Sequence, residues 1–261
     1  MKVIDLQPEY YDTYFNCLED WSDEMKEAGN HKACWYRKYR EKGLRVKLSL
    51  DAKGRAAGMI QYLPVEESVI DGKGLCFILC IWVHGYKKGI GDFRGKGMGT
   101  ALLHAAENDA RTMGAKGMAA WGLWLPFWMK ASWFKKHGYK TADRDGMRLL
   151  VWKPFSDDAN PPHWIHPRKA VPKKPGKVTV TAFINGWCPA QNIVFERAKR
   201  ACGEFGDKVV FETMDMSDHN AFLEWGISDG IFIDGKQISF GPPLPYEKIV
   251  KKIAKQVDRL S

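Results

Sequence analysis

The chain has 261 residues, of which 45% are apolar and 27% charged. This is ordinary globular usage, so wholesale disorder is excluded, and the length predicts either two domains or one large one. The longest apolar run, residues 75–83, has nine residues. Because about 20 are needed to span a bilayer, we expect no membrane-spanning segment.

The cysteines and the N-terminus predict a cytoplasmic protein. Six cysteines stand at positions 17, 34, 76, 80, 188 and 202, without a CxxC pair. This sparse spacing favours reduced thiols over a disulfide framework. The first residues, MKVIDLQPEYYD, carry acidic side chains where a signal peptide has its apolar segment.

The net charge of +9 comes from 40 Lys and Arg against 31 Asp and Glu. The basic residues are spread along the chain, without zinc-finger spacing or an RNA-recognition signature. Solvated faces are the favoured explanation. Among ligands, a polyanionic small molecule such as a nucleotide or coenzyme fits better than a nucleic acid, so no nucleic-acid partner is expected.

Apolar periodicity predicts the elements of the first 153 residues. Apolar residues three or four apart indicate helices, and alternating or continuous apolar runs indicate strands. Helices are expected at 11–18, 21–28, 33–42, 100–113 and 126–137, and strands at 45–50, 56–64, 74–83, 117–123 and 147–152. The 74–83 run is typical of a central strand that is covered on both faces.

The composition shifts between residues 154 and 177, where six prolines occur without any helical or alternating period. Proline fixes φ and removes an amide donor, so this stretch is predicted to be a semi-rigid linker. The predicted domains are residues 1–155 and 177–261, joined by a linker at 156–176. Trp164 and Ile165 are expected to pack onto one of the domains.

The segment Arg94-Gly95-Lys96-Gly97-Met98-Gly99-Thr100 follows the central strand by a loop and opens a helix. Its alternating glycines let the backbone turn tightly, and the helix N-terminus adds partial positive charge. The pattern is neither a Walker loop nor the GxGxxG of a dinucleotide fold. It predicts an anion site suited to a pyrophosphate, and a simple tight turn is the alternative.

The order of these elements resembles the GNAT acetyltransferase superfamily. In that family, Arg/Gln-x-x-Gly-x-Gly/Ala binds the pyrophosphate of acetyl-CoA, and Arg94 to Gly99 match it. A later family element, a helix ending FxxxGF, is similar to residues 133–139, WFKKHGY. The resemblance covers about residues 1–153 and implies an N-acetyltransferase that uses acetyl-CoA, without a metal, on a small-molecule or peptide amine.

The resemblance also implies where the coenzyme binds. The pantetheine arm would lie where strand 74–83 splays from strand 117–123, and a backbone N–H there would polarise the thioester carbonyl. The implied cofactor-binding residues are Ile81, Trp82, Val83, Arg94, Gly95, Lys96, Gly97, Met98, Gly99 and Thr100.

The proton-transfer groups are less defined. The family often has a Tyr four residues before the helix-ending Gly, and Phe134 stands there, so thiolate protonation falls to water, Tyr139 or His137. His84, at the end of the central strand, is the first candidate for general base because an unperturbed imidazole titrates near neutral pH. The alternatives are the carboxylates of Glu66, Glu67 and Asp92, and a structural role for His84 is also open.

Aromatic residues crowd the region between residues 121 and 133. They either belong to the core or wall an acceptor pocket, and the sequence does not separate these roles. The residues are Trp121, Trp124, Phe127, Trp128 and Trp133.

The C-terminal half is predicted to run β-α-β-α-β-β-α. Its strands are expected at 177–184, 208–214, 230–233 and 236–240, and its helices from about 189 to 205, at 221–225 and at 246–260. With Trp187-Cys188-Pro189 at the first helix start, this half resembles the thioredoxin/glutaredoxin fold, as in acetyltransferases with a YoaP-like C-terminal domain. The expected fold class is therefore α/β (α+β), a GNAT fold with a central mixed sheet followed by a smaller thioredoxin-like domain.

Cys188 is the candidate thiol, because a helix N-terminus favours a nucleophilic thiolate. A dithiol enzyme needs a second Cys where Gln191 stands, and Asp229 occupies the place of the glutaredoxin cis-proline. We therefore favour a module that binds or presents substrate. The alternative functions are a thiol-binding or thiol-redox protein centred on Cys188, with an acyl-CoA-sensing first half, and a nucleic-acid-associated module.

Overall fold

A computed structural model describes residues 1–125, 129–238 and 241–260. The chain forms two compact units. The first contains Met1–Trp21 and Lys38–Ile165, and the second contains Ser22–Arg37 and His166–Ser261. The predicted ranges place Ser22–Arg37 in the first domain, whereas the structure groups these residues with the second unit.

The first 165 residues form nine strands and five helices within the described ranges. The strands are β1 (Lys2–Asp5), β2 (Arg45–Leu50), β3 (Ala56–Pro64), β4 (Ile70–Asp71), β5 (Cys76–Val83), β6 (Gly117–Leu123), β7 (Lys140–Asp145), β8 (Arg148–Pro154) and β9 (His163–Trp164). The helices are α1 (Tyr11–Phe15), α2 (Asp23–Lys26), α3 (His31–Arg40), α4 (Met98–Thr112) and α5 (Ala131–Lys136).

Seven of these strands form the central mixed sheet, in the order β1-β2-β3-β5-β6-β8-β7. Neighbours are antiparallel except for β5 and β6, which run parallel. A parallel pair needs a long crossover, which α4 supplies. The mixed sheet and the predicted central position of β5 are confirmed.

Helix α4 covers one face of this sheet. Leu102, Leu103, Ala106 and Ala110, spaced three or four residues apart, are fully buried. They pack against residues of β3, β5 and β6 in one apolar cluster. This confirms the apolar face predicted for the helix, because only that spacing aligns side chains along one side of it.

The structure adds elements that the periodicity did not signal. Strands β1 and β7 are edge strands of four and six residues, and β7 reads KTADRD, which lacks apolar alternation. The helix predicted at 126–137 corresponds to α5, and the residues 126–128 lie outside the described ranges. Within the predicted linker, β9 pairs with β4 and buries Trp164 on the first unit, as expected for that tryptophan.

The second unit has the predicted β-α-β-α-β-β-α order. Its elements are β10 (Val178–Ile184), α6 (Pro189–Gly203), β11 (Val209–Asp215), α7 (His219–Trp225), β12 (Gly230–Ile233), β13 (Lys236–Gln237) and α8 (Tyr246–Val257). The last predicted strand extends to 239–240, which lie outside the described residues. The sheet order is β11-β10-β12-β13, with β10 and β11 parallel and the other neighbours antiparallel.

An ion-pair cluster on α6 explains why Ser22–Arg37 belongs to the second unit. Arg197 is nine-tenths buried and binds Glu27 at 2.7 Å and Glu24 at 3.0 Å. The Nε2 atom of His31 lies 2.7 Å from Glu196. These partners are more than 160 residues apart, so no local pattern could have signalled them.

Candidate active site

The site begins where β5 and β6 part. Their parallel ladder pairs Cys76 with Met118, Phe77 with Ala119 and Ile78 with Ala120. Both strands continue, β5 to Val83 and β6 to Leu123. Beyond Ile78 and Ala120, however, no further residues of the two strands pair in the described chain. The register of β5 with β3 shifts at the same level, and such a bulge bends and twists its strand.

Beyond this point, one edge of β5 faces the gap that β6 has left. The amide of His84 donates to the carbonyl of Ala57 on β3 at 2.9 Å. Successive residues of an antiparallel strand direct their backbone groups to opposite sides. The N–H and C=O groups of Val83 and Ile81 therefore point away from β3, toward the gap.

The N-terminus of α4 stands at this same end of β5. Gly97 is the N-cap with φ +80°, Gly95 has φ +73°, and no described atom lies within 4 Å of a Cβ built on either residue. No side chain among the described residues caps the helix. The amides of its first turn lack partners within the helix, so they are available to bind an anion.

The basic residues of this loop are held by their neighbours. Arg94 forms a two-pronged ion pair with Asp92, at 2.6 Å from its terminal nitrogen and 3.0 Å from Nε. The Arg94 hydrogen bonds lower the pKa of the Asp92 carboxyl to about 2. Asp92, an alternative base candidate, is therefore a weak proton acceptor. Lys96 lies over the ring of Phe93 at 4.5 Å.

His84 stands at the open end of β5, and both of its ring nitrogens are engaged. Nδ1 lies 2.7 Å from the carbonyl oxygen of Gly91, so it carries the proton and donates. Nε2 accepts the indole N–H of Trp21 at 3.0 Å. The residue is fully buried. This geometry leaves no lone pair to take a proton from a substrate, so it corrects the prediction that His84 is the general base.

Replacing His84 with alanine is expected to destabilise the protein by about 1–3 kcal/mol, because the partly buried Trp21 N–H and Gly91 carbonyl lose their partner. The shape of the pH–rate profile is expected to stay unchanged. Thermal unfolding and initial rates between pH 5.5 and 9 measure the two effects. An ionisation that disappears from the profile of the variant would restore the catalytic role.

Two further catalytic candidates, Glu66 and Tyr139, lie at the opposite end of the ladder. Glu66 is exposed and accepts the amide of Gly74, just before β5 begins, at 2.7 Å. Tyr139 precedes β7, whose first residue pairs with Trp152, the partner of Ala119. Ala119 lies in the segment where β5 and β6 are still paired. The structure therefore brings neither residue to the gap. Glu67 is also engaged, by Lys42 at 2.6 Å.

Tyr139 is a core residue. It is 3% exposed and packs edge-on against Phe134, with ring centroids 5.4 Å apart. Burial, followed by the neighbouring Glu107 carboxylate, raises the pKa of the phenol well above its usual value. Phe134, in the position of the family tyrosine, is also buried.

His137 and Trp133 support the start of α4. A Cβ added to Gly99 would lie 3.4 Å from the Trp133 ring, an ordinary contact distance, so this ring packs beside the first turn of the helix. His137 donates from Nδ1 to the Trp133 carbonyl at 2.9 Å, and its Nε2 accepts the hydroxyl of Thr100 at 3.1 Å. The Thr100 hydroxyl is therefore occupied, and its amide is the group left for a ligand. Met98 is buried beneath the loop.

Two tryptophans shape the site in ways that the sequence did not reveal. Trp21 orients His84, as described above. Trp121 donates its indole N–H to the carbonyl of Leu79 at 2.8 Å, at the level where the ladder ends.

Trp82 is partly buried, and its indole nitrogen has no partner within the described chain. Of the other predicted aromatics, Trp124 is 64% exposed, and Phe127 and Trp128 lie outside the described residues.

Cys188 is the N-cap of α6 and is partly exposed. The preceding turn is held by Asn192, which donates to the Gly186 carbonyl at 2.9 Å. Cys202 is buried, and that burial raises the pKa of its thiol to about 12. This is the environment of a core residue rather than of a resolving thiol. None of the six cysteines, all of them described, forms a disulfide.

Two kinds of feature are absent from the described ranges. No group of three or more His, Cys, Asp or Glu side chains in those ranges could hold a metal ion. None of the described helices has the length and apolar character needed to cross a bilayer.

Residues 3–124 match the model of the Acetyltransferase (GNAT) family. This range contains the β5 edge, the glycine loop and α4. The match supports a GNAT acetyltransferase fold for the first unit, and it does not extend to residues 166–261 of the second. No curated protein matches the chain significantly.

Several solved acetyltransferases are similar at low identity. They include the PaiA N-acetyltransferase from Thermoplasma acidophilum in complex with coenzyme A, 16% identical, with a TM-score of 0.44 over 59% of this chain and 100% of that one. YhbS from Escherichia coli in complex with CoA is 16% identical, with a TM-score of 0.42 over 60% and 82%. A Brucella melitensis acetyltransferase in complex with acetyl-CoA is 14% identical, with a TM-score of 0.42 over 62% and 94%.

Proposed function

We propose that the protein is a cytoplasmic, acetyl-CoA-dependent N-acetyltransferase. It transfers the acetyl group to an amine by direct attack within a ternary complex. The observation that carries this proposal is the meeting of two features at one end of β5. These are the uncapped N-terminus of α4 behind Gly95 and Gly97, and the strand edge that β6 leaves open.

The two features have complementary roles. The first-turn amides of α4, at Met98, Gly99 and Thr100, bind the pyrophosphate, with Lys96 adding positive charge. The backbone of Ile81 and Val83 pairs with the amide groups of the pantetheine arm as a further strand would. A backbone N–H at this edge polarises the thioester carbonyl. Alignment of amine and thioester then supplies much of the rate.

The amine enters the reaction in its neutral form. Its nitrogen attacks the carbonyl carbon and the C–S bond breaks. The attacking nitrogen then gives one proton to water, and the departing thiolate takes a proton from water. The ammonium proton is lost to solvent, because His84 and Asp92 are both engaged at this end of β5. The rate should therefore follow the neutral fraction of the acceptor amine.

We propose that the second unit is a thioredoxin-like, YoaP-like module that binds or presents the acceptor. The order of its elements and the place of Cys188 before α6 support this. Asp229 stands in the cis-proline position, where its carboxylate accepts the hydroxyl of Ser228 at 2.7 Å. A thiol-binding or thiol-redox protein centred on Cys188 is the second candidate function, because that residue is partly exposed at a helix N-terminus.

Calorimetric titration with acetyl-CoA at two salt concentrations tests the first proposal. We expect saturable, micromolar binding, followed by release of free CoA when a suitable amine is supplied from a screen. Cys188→Ser should keep both properties, because Cys188 takes no part in the transfer. Loss of transfer in Cys188→Ser, with acetyl-CoA binding retained, would favour the thiol-centred function. Absence of acetyl-CoA binding would overturn the proposal.

A further inference from the structure

Trp121 occupies the point at which the two central strands part. The last pair of the ladder is Ile78 with Ala120, so the next pair in register would be Leu79 with Trp121. Instead of a backbone amide, the indole N–H of Trp121 reaches the Leu79 carbonyl, at 2.8 Å. A side chain thus takes the place of the next ladder hydrogen bond and ends the ladder.

The backbone next to Trp121 is closely packed on the β6 side as well. Gly122, the next residue, lies so close to the segment leading into α5 that an added Cβ would be 2.7 Å from the Ala131 amide nitrogen and the Met129 carbonyl oxygen. Beneath Trp121, Ala119 and Ala120 are fully buried. The gap is therefore closed by packed atoms on its ladder side, and the indole is the first side chain on that side.

The position of the anion site determines the order in which a bound chain meets the residues along the gap. The anion-binding start of α4 lies beyond Val83, at the open end of β5. A chain laid along the exposed edge from that end passes Val83 and then Ile81, and it reaches Leu79 and Trp121 last. The end of an acyl thioester chain, farthest from the phosphates, would therefore meet the indole.

We infer that Trp121 determines which acyl chains the enzyme accepts. Its indole forms the end wall of the acyl site and restricts the thioester to a short, acetyl-sized group. The inference rests on the proposed function and adds the acyl specificity of the same site. Because the hydrogen bond to Leu79 holds the ring in place, the indole does not move aside for a longer acyl chain.

The test is a calorimetric series of CoA, acetyl-CoA, butyryl-CoA and hexanoyl-CoA, without acceptor amine. For the unchanged protein we expect butyryl- and hexanoyl-CoA to bind roughly tenfold or more weaker than acetyl-CoA, since a pocket discriminates against each methylene by about this factor. Trp121→Ala should reverse the order, with hexanoyl-CoA binding about tenfold tighter than acetyl-CoA.

Two variants serve as controls. Trp121→Phe keeps most of the ring and should keep the preference for the short chain. Trp124→Ala removes an exposed tryptophan three residues further on and should leave the series unchanged. If Trp121→Ala does not melt cooperatively in circular dichroism, Trp121→Leu provides the enlarged site.

The outcomes separate the two proposals. Equal binding of acetyl- and hexanoyl-CoA to the unchanged protein, or an unaltered order in the enlarged variant, overturns the role of Trp121 and leaves the acetyltransferase proposal intact. Failure of CoA and of every thioester to bind overturns both.

Discussion

Replacing Gly97 with glutamate is expected to weaken acetyl-CoA binding at least about a hundredfold, which corresponds to ~2.7 kcal/mol. Gly97 is the N-cap of α4, and open space surrounds the position of its missing Cβ. A glutamate there would direct its carboxylate at the uncapped amides, occupy the anion site and repel the pyrophosphate. Isothermal calorimetry measures the loss.

Gly114→Glu is the matched control. Gly114 follows the other end of α4, has the same φ of +80° and has no described atom within 4 Å of an added Cβ. Both variants therefore carry the same backbone strain, about 1–2 kcal/mol for a left-handed residue with a side chain. Only Gly97→Glu should lose the ligand. Equal affinities in the two variants would show that the glycine loop is a tight turn without a phosphate site.

Replacing Arg197 with methionine is expected to lower the free energy of unfolding by about 2–3 kcal/mol at neutral pH. This is less than the penalty for breaking a fully buried ion pair, because Glu24 and Glu27 remain partly exposed. Urea unfolding followed by tryptophan fluorescence measures it. Lys26→Met, which removes an exposed ion pair with Asp23 in the same segment, should change stability by less than about 0.5 kcal/mol.

The pH dependence of this cluster has a defined sign. Hydrogen bonds from Arg197, and then from Arg200, lower the pKa of Glu27 from 4.5 to about 2. A carboxyl whose pKa is lower in the folded state stabilises the protein above its unfolded pKa, and this contribution is lost as the pH falls toward the folded value. The difference in unfolding free energy between the unchanged protein and Glu27→Gln should therefore be at its maximum above pH 5 and vanish near pH 2. A difference that is constant between pH 5 and pH 2 would contradict this account.

The elements that frame the candidate site could be predicted because they are local in sequence. A continuous apolar run gave β5, apolar residues three and four apart gave α4, and glycines at 95 and 97 marked the turn between them. Each of these signals acts within a few residues, where backbone geometry and side-chain spacing decide the conformation. The order of strands and helices in the second unit follows from the same kind of signal, whereas the short strands β1, β4, β7 and β9 of the first unit gave no such signal.

The roles of individual side chains depended on the tertiary structure. His84 satisfied every local criterion for a base, yet a tryptophan 63 residues away takes its Nε2 lone pair. Glu66 and Tyr139 have suitable chemistry, but strand register places them at the far end of the ladder. In the sequence, nothing distinguished Trp121 from the neighbouring aromatic residues. Its indole hydrogen bond to Leu79, 42 residues away, places it at the point where the ladder ends.

The sequence by itself determined β5, α4, the order of elements in the second unit and the glycine turn at the start of α4, since these depend on neighbours along the chain. The tertiary structure alone decided which lone pairs are engaged, which end of the sheet each group occupies and which unit holds Ser22–Arg37. Those properties depend on hydrogen bonds and ion pairs between residues far apart in sequence. Apolar periodicity reports the buried face of an element, but it carries no information about the particular partner on that face.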